Sequence, residues 1–214
     1  MILCLIYFQN GTPRFRAINF DAITLDTPLS QTCPSGVLSD MEGRVQGLWL
    51  SFLGERSNNG QDRSYHLGIH IEVVLPVLDK IRSGQIPKLK GLAIELTPNP
   101  ISYSRQMGVS DEWVQKIAEA NPRRRQLFVV HHVECGTPTA SVLKDLDIIL
   151  SLNGKVVSRI TDFELGQDWA DEVDVVIVRN KIEMSLKVPT SLLDGECTTK
   201  VISFAGAIIH GKKL

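Results

Sequence analysis

An Asn-Gly pair set inside an apolar run constrains this chain more than any other feature. The run reads Leu146-Asp147-Ile148-Ile149-Leu150-Ser151-Leu152-Asn153-Gly154-Lys155-Val156-Val157. Asn and Gly tolerate the positive φ that a type I′ turn demands at both central positions. The chain is therefore expected to reverse at 153–154, with Val156 and Val157 returning onto Ile148 to Leu150. Before the run lies an apolar strand, Leu127 to Val133, leading into the turn-rich Glu134-Cys135-Gly136-Thr137-Pro138 and a short helical step. After it come Val173 to Val178 and, around Arg179-Asn180-Lys181, Ile182 to Val188. β-branched residues bounded by turn residues read as strands, so Gln126 to Pro189 is a small β-rich domain.

The 214 residues suffice for one large or two modest domains, and 43% hydrophobic with 22% charged residues is ordinary for a soluble globular chain. A net charge of −1 gives no electrostatic footprint for nucleic acid or an anionic membrane, so neither is expected as a partner. The one dense basic cluster, Arg123-Arg124-Arg125, reads as a solvated loop between a helix and a strand. Cys4, Cys33, Cys135 and Cys197 form no C-x-x-C pair, which points away from a disulfide framework or zinc knuckle and toward a reducing compartment. No run reaches eighteen apolar residues, and Met1 to Phe8 is better read as a buried strand than as a leader. His131 and His132 are strand neighbours and point to opposite faces, so with Cys135 they make no metal site. No metal or cofactor is expected. Asp145 and Asp147 read as turn and strand-start residues rather than an acid/base pair.

Taken in order, the chain opens with short strands at Phe15 to Phe20, Gly36 to Ser39 and Val45 to Phe52, the last two joined at Glu42-Gly43. Ser57 to Ser64 reads as a loop and Tyr65 to Ile71 as another strand. Pro76 to Ser83 has helical spacing, with Pro76 in the first turn and Gly84 as the stop. Thr97-Pro98-Asn99-Pro100 is expected to break the strand before it. Ser110 to Ala120 reads as a helix capped by Ser110, with Trp113, Val114 and Ile117 on one face. Met107, Val109 and Trp113 either line a groove or pack in the core.

Phe128-Val129-Val130, Gly136-Thr137-Pro138-Thr139-Ala140, the Leu146 to Lys155 run and Val173-Asp174-Val175-Val176-Ile177-Val178-Arg179 together resemble a PDZ domain of the HtrA serine-protease type. The resemblance covers roughly Pro13 to Ile208. It implies a mainly β chain with a few helices (α+β): the C-terminal half of a chymotrypsin-like β-barrel over 1–75, a connector helix over 76–84, a PDZ-like domain over 85–190, and a tail over 191–214. It implies that Leu89, Lys90, Gly91 and Leu92 form a loop of amides that holds a peptide's terminal carboxylate. The peptide would then add as a strand beside Leu92, Ala93, Ile94 and on to Leu96. Gly91, lacking Cβ, would let the backbone approach the carboxylate. Ile160, Phe163 and Leu165, on a short helix within Ile160 to Ala170, would line the opposite wall.

The same resemblance lays Thr32-Cys33-Pro34-Ser35-Gly36 over the loop that carries the family's nucleophilic serine. Pro34 falls on the nucleophile and Ser35 one place later, and a proline also removes an amide from an oxyanion hole. Independently of register, a chymotrypsin-like triad places its histidine and aspartate ahead of the serine, whereas the first histidine here is His66. Three readings follow. One is a non-catalytic module binding peptide C-termini, extended segments or neighbouring protease units. Another is a serine peptidase that is active only within a longer chain or complex, and the third is a scaffold with a closed groove. Half a barrel would leave an open sheet edge to be covered by another chain. The resemblance further implies an intracellular protein, nuclear or cytoplasmic, acting in stress-induced cell death.

Overall fold

The computed structural model describes residues 3–5, 21–24, 35–56, 62–164, 169–193, 201–204 and 207–210. It is mainly β with few helices and divides into two units, one of residues 1–87 with 198–213 and one of residues 88–197 with 214.

The first unit contains β1 (Leu3–Leu5), β2 (Asp21–Thr24), β3 (Ser35–Ser39), β4 (Val45–Arg56) and β5 (Asp62–His70), then helix α1 (Ile71–Arg82). The strands form an antiparallel sheet in the order β1-β2-β5-β4-β3. Ala22, Ile23, Trp49 and Leu67 are its buried apolar residues. Gly47 and Gly68 are required by close approach, since a Cβ on Gly47 would lie 2.6 Å from the Ile69 carbonyl oxygen. Asp40 organises the β3–β4 turn, its Oδ1 accepting from the amides of Glu42 (3.1 Å) and Arg44 (2.8 Å), with Gly43 at φ +80°. On the edge strand β3, Val37 pairs with Leu48 of β4, and both are exposed. The strand expected at Phe15 to Phe20 lies outside the described residues, and β5 begins inside the segment read as a loop.

Helix α1 starts at Ile71, five residues ahead of the expected Pro76. His70 is extended and its Nδ1 accepts the Glu72 amide at 3.3 Å, so the helix is capped there. Pro76 consequently sits inside the helix. The end is as read: Gln85 N–H reaches the Lys80 carbonyl and Gly84 N–H that of Ile81, a Schellman closure with Gly84 at φ +76°.

The second unit begins with β6 (Leu89–Gly91) and β7 (Ile94–Pro100), passes α2 (Ser104–Met107) and α3 (Asp111–Ala120), and continues through β8 (Gln126–Val133). A 3₁₀ turn at Pro138–Ser141 leads to β9 (Ile148–Leu152), β10 (Lys155–Val156), α4 (Thr161–Glu164), β11 (Glu172–Arg179), β12 (Ile182–Pro189) and β13 (Ser191–Leu193). Six strands make one antiparallel sheet ordered β12-β11-β9-β8-β7, with β10 also paired to β9. Asn153 and Gly154 turn at φ +48° and +76°, and Leu152 meets Lys155 across the hairpin. Asn180 and Lys181 make a second such turn at +52° and +67°. Val109, Ile117, Leu127, Val129, Ile148, Leu150 and Val178 form one core cluster, against which Met107 and Trp113 pack. Those three residues of the 107–113 segment are therefore core rather than groove lining.

Thr97-Pro98-Asn99-Pro100 does not break the strand. Pro98 pairs with Phe128 and Pro100 with Gln126, so β7 runs through both prolines. The reason lies in its place at the sheet's edge, where a missing N–H need cost no ladder bond. The closing hairpin of β14 (Val201–Phe204) and β15 (Ala207–His210) falls in the segment read as a tail.

Candidate functional site

The site is built at one end of β7. Leu89, Lys90 and Gly91 are not a free loop: they form β6, paired in antiparallel register with β13 as Leu89 to Leu193, Lys90 to Leu192 and Gly91 to Ser191. Gly91 is not among the residues with positive φ, so its value here is the lack of a side chain rather than a left-handed turn. The amides next in line belong to Leu92 and Ala93. The Ile94 N–H turns back onto the Leu92 carbonyl at 2.9 Å and the Ala93 carbonyl accepts from Glu134 N–H at 2.9 Å. The Leu92 and Ala93 N–H groups themselves donate to no backbone acceptor among the described residues. The strand expected over Leu92 to Leu96 begins at Ile94, because this tight turn occupies 92–93.

Lys90 carries the charge at this end. Its Nζ lies 2.8 Å from Oδ1 of Asp171, the residue just before β11. The lysine hydrogen bond, followed by its charge, holds the Asp171 carboxyl below the usual carboxylate range. The Asp171 backbone is fixed separately, its carbonyl accepting from Thr190 N–H at 2.8 Å and Thr190 Oγ1 at 3.2 Å.

The opposite wall carries α4. α4 spans four residues, and 165–168, which include Leu165, lie outside the described residues. Asp162 stabilises its start: Oδ2 accepts the amides of Ser158 and Arg159, both at 2.9 Å, while Oδ1 holds Lys155 Nζ at 3.1 Å. Ile160 is 1% exposed, so it is a core residue and not groove lining; burying it is what pins α4 to the sheet. Phe163 is half-buried and meets the fully buried Phe128 edge-on at 5.6 Å between ring centres, which leaves it as the aromatic member of this wall.

Other residues singled out in the sequence have structural roles. Asp147 is wholly buried, with Arg179 Nε and Nη2 each 2.7 Å from a different carboxylate oxygen. It also accepts the Lys144 amide at 2.8 Å, and Arg179 donates further to the Val142 carbonyl at 2.8 Å. The hydrogen bond to Asp147 raises the Arg179 guanidinium further above its usual value. Asp145 Oδ1 accepts the Val133 amide at 3.0 Å. His131 and His132 are both exposed because a bulge between Glu95 and Leu96 disturbs the pairing there, and no metal-ligating cluster occurs among the described residues. Ser35 opens β3, paired with Leu50, and is exposed; Pro34 lies outside the described residues.

Sequence reasoning missed β13 and Asp171. They reach the site through pairings 81 and about a hundred residues apart along the chain, and no local signal marks such a partner.

Fold and site together define a mainly β chain whose second unit presents an edge strand behind an amide turn. Among curated proteins it matches fungal pro-apoptotic serine proteases. It is 46% identical over 205 residues to that of Aspergillus clavatus, 44% over 206 to that of Chaetomium globosum and 47% over 206 to that of Aspergillus fumigatus. Each match covers 94% of this chain and 20% of the relative. The chain is thus similar to one segment of these pro-apoptotic serine proteases and spans about a fifth of their length. No family model matches it. Among solved structures, the HtrA-type protease AlgW with a decapeptide overlaps at a TM-score of 0.45 and 19% identity, over 73% of this chain and 45% of that one. The serine endoprotease from Yersinia pestis overlaps at 0.38 and 18%, over 74% and 47%.

Proposed function

We propose that the second unit is a PDZ-like, non-catalytic module that binds the C-termini of peptides or proteins. One observation carries the reading: the Leu92 and Ala93 amides, with no backbone acceptor among the described residues, sit immediately ahead of the edge strand β7. An extended peptide laid along that edge gains main-chain hydrogen bonds from the strand, and its terminal carboxylate takes the two amides, which are strong donors to an ionised acceptor. Phe163 faces the added strand from the short α4 wall. The two prolines limit the ladder, because neither Pro98 nor Pro100 has an N–H to offer. The contact is therefore confined to the peptide's last few residues.

The first unit serves in this reading as a degenerate protease-like sheet, since Pro34 falls where the family's nucleophilic serine is expected. Its edge strand β3, with Val37 and Leu48 exposed beside it, receives a segment of another protease unit. A role in cell death, which the relatives' name states of them, is part of the same proposal, and a location in the nucleus or cytoplasm is proposed with it.

The test is an amide-resolved NMR titration of the full chain with N-acetylated pentapeptides bearing free C-termini. The reading expects the largest shifts at Leu92, Ala93 and Ile94. Shifts confined to other surfaces, or none at millimolar peptide, overturn it.

A further inference from the structure

We propose that Lys90 is the cation that meets the terminal carboxylate of a bound peptide, and that Asp171 is its internal stand-in, displaced when the peptide arrives. This rests on the peptide-binding reading above and names the charge that sets its affinity.

The two partners differ in a way that suits an exchange. The Lys90 side chain is 22% exposed and stands on β6, which β13 holds in register, so the ammonium is anchored. The Asp171 side chain is 99% exposed. Its main chain is fastened by Thr190, so only the carboxylate has to rotate away. On leaving, it enters water, where a carboxylate is well solvated. Lys90 is never left without a counter-charge, because one carboxylate replaces another. Asp171 is the sole ion-pair partner of Lys90 among the described residues.

Position ties the pair to the site. Lys90 precedes Gly91 and the Leu92-Ala93 amides directly in sequence, and Asp171 directly follows the segment containing α4. Lys90 and the two amides thus belong to one four-residue stretch that leads into β7, where the peptide's last residue would sit. A terminal carboxylate placed there has two oxygens to satisfy, one on the amides and one on Lys90. A side-chain amide or a blocked C-terminus gives Lys90 no charge and does not displace Asp171. The exchange therefore reads the free carboxylate.

An exposed ion pair contributes little, so its release should cost a small factor in binding: about two- to fivefold. The experiment uses the full chain and the tightest binder from a pool of N-acetylated pentapeptides with free C-termini, together with its amidated counterpart. Asp171→Asn should tighten binding of the free-acid peptide about two- to fivefold and leave the amidated peptide unchanged. Lys90→Met should weaken the free-acid peptide, Lys90→Arg should restore it, and Asp171→Asn should have no effect in the Lys90→Met background. Melting curves for each variant separate a binding effect from misfolding. If the unmodified chain binds in a carboxylate-dependent way and Asp171→Asn changes nothing, the exchange is wrong and the peptide reading stands. If neither the unmodified chain nor Asp171→Asn binds either peptide, both fall together.

Discussion

Replacing Asp147 by alanine is the substitution that the second unit should tolerate least. The carboxylate is 0% exposed and takes two 2.7 Å bonds from Arg179 and one of 2.8 Å from the Lys144 amide. Removing it leaves a guanidinium whose side chain is 19% exposed with only the Val142 carbonyl, and leaves the Lys144 amide without its acceptor. Breaking one side of a buried pair costs about 3–5 kcal/mol, and partial access of water to Arg179 sets the expectation near the lower figure, about 3 kcal/mol. That is a large part of the 5–15 kcal/mol that typically holds a domain together. Urea unfolding of the full chain, with hydrogen exchange at Ile149 and Ile177 reporting on this unit, measures it. The pair also predicts its own rescue: Asp147→Leu with Arg179→Met, leaving no orphaned charge, should be closer to the unmodified protein than Asp147→Ala alone. A loss below about 1 kcal/mol, or a double variant worse than the single one, would refute the reasoning.

Leu146 holds φ +73° with its side chain 78% exposed, a left-handed conformation that costs an L-residue about 1–2 kcal/mol. Leu146→Gly should raise stability by about 0.5–1 kcal/mol after the glycine's greater unfolded-state freedom is offset, seen as a higher melting temperature. Asp171 should titrate below an ordinary aspartate in carboxyl-detected NMR because Lys90 bonds its charged form, and should return to the ordinary range in Lys90→Met. The stabilising effect of that pair is present above the usual aspartate range and fades as pH falls through the lowered value. Peptide affinity should level off at about four residues, since Pro98 and Pro100 end the available ladder; steady gains up to eight residues would show that the prolines do not limit it.

The central sheet was legible because its signals are local. Asn153-Gly154 and the Arg179-Asn180-Lys181 reversal specify their turns by φ alone, and alternating β-branched residues specify the strands beside them. The Ser110 cap and the Gly84 stop were legible for the same reason. Thr97 to Pro100 misled because proline marks a break only where its N–H is needed, and whether β7 lies at an edge depends on the whole topology. Pro76 misled toward a helix start, since local spacing did not reveal that His70 could cap an earlier turn. At the site, Lys90 and Gly91 could be placed by their neighbours in sequence. Their partners Asp171 and Ser191 could not, because a pairing closed over some 80 to 100 residues leaves no periodic trace near either end. Ile160 misled by position: next to a groove wall in sequence, it turns inward and is sealed.

The central claim is that the second unit recognises a free peptide C-terminus at the Leu92-Ala93 turn. Calorimetric titration of the full chain with one pentapeptide in free-acid and amidated forms tests it most directly. The account predicts saturable binding of the acid and at least a tenfold weaker response to the amide, about 1.4 kcal/mol or more. Equal binding of the two forms, or binding of neither, would contradict it.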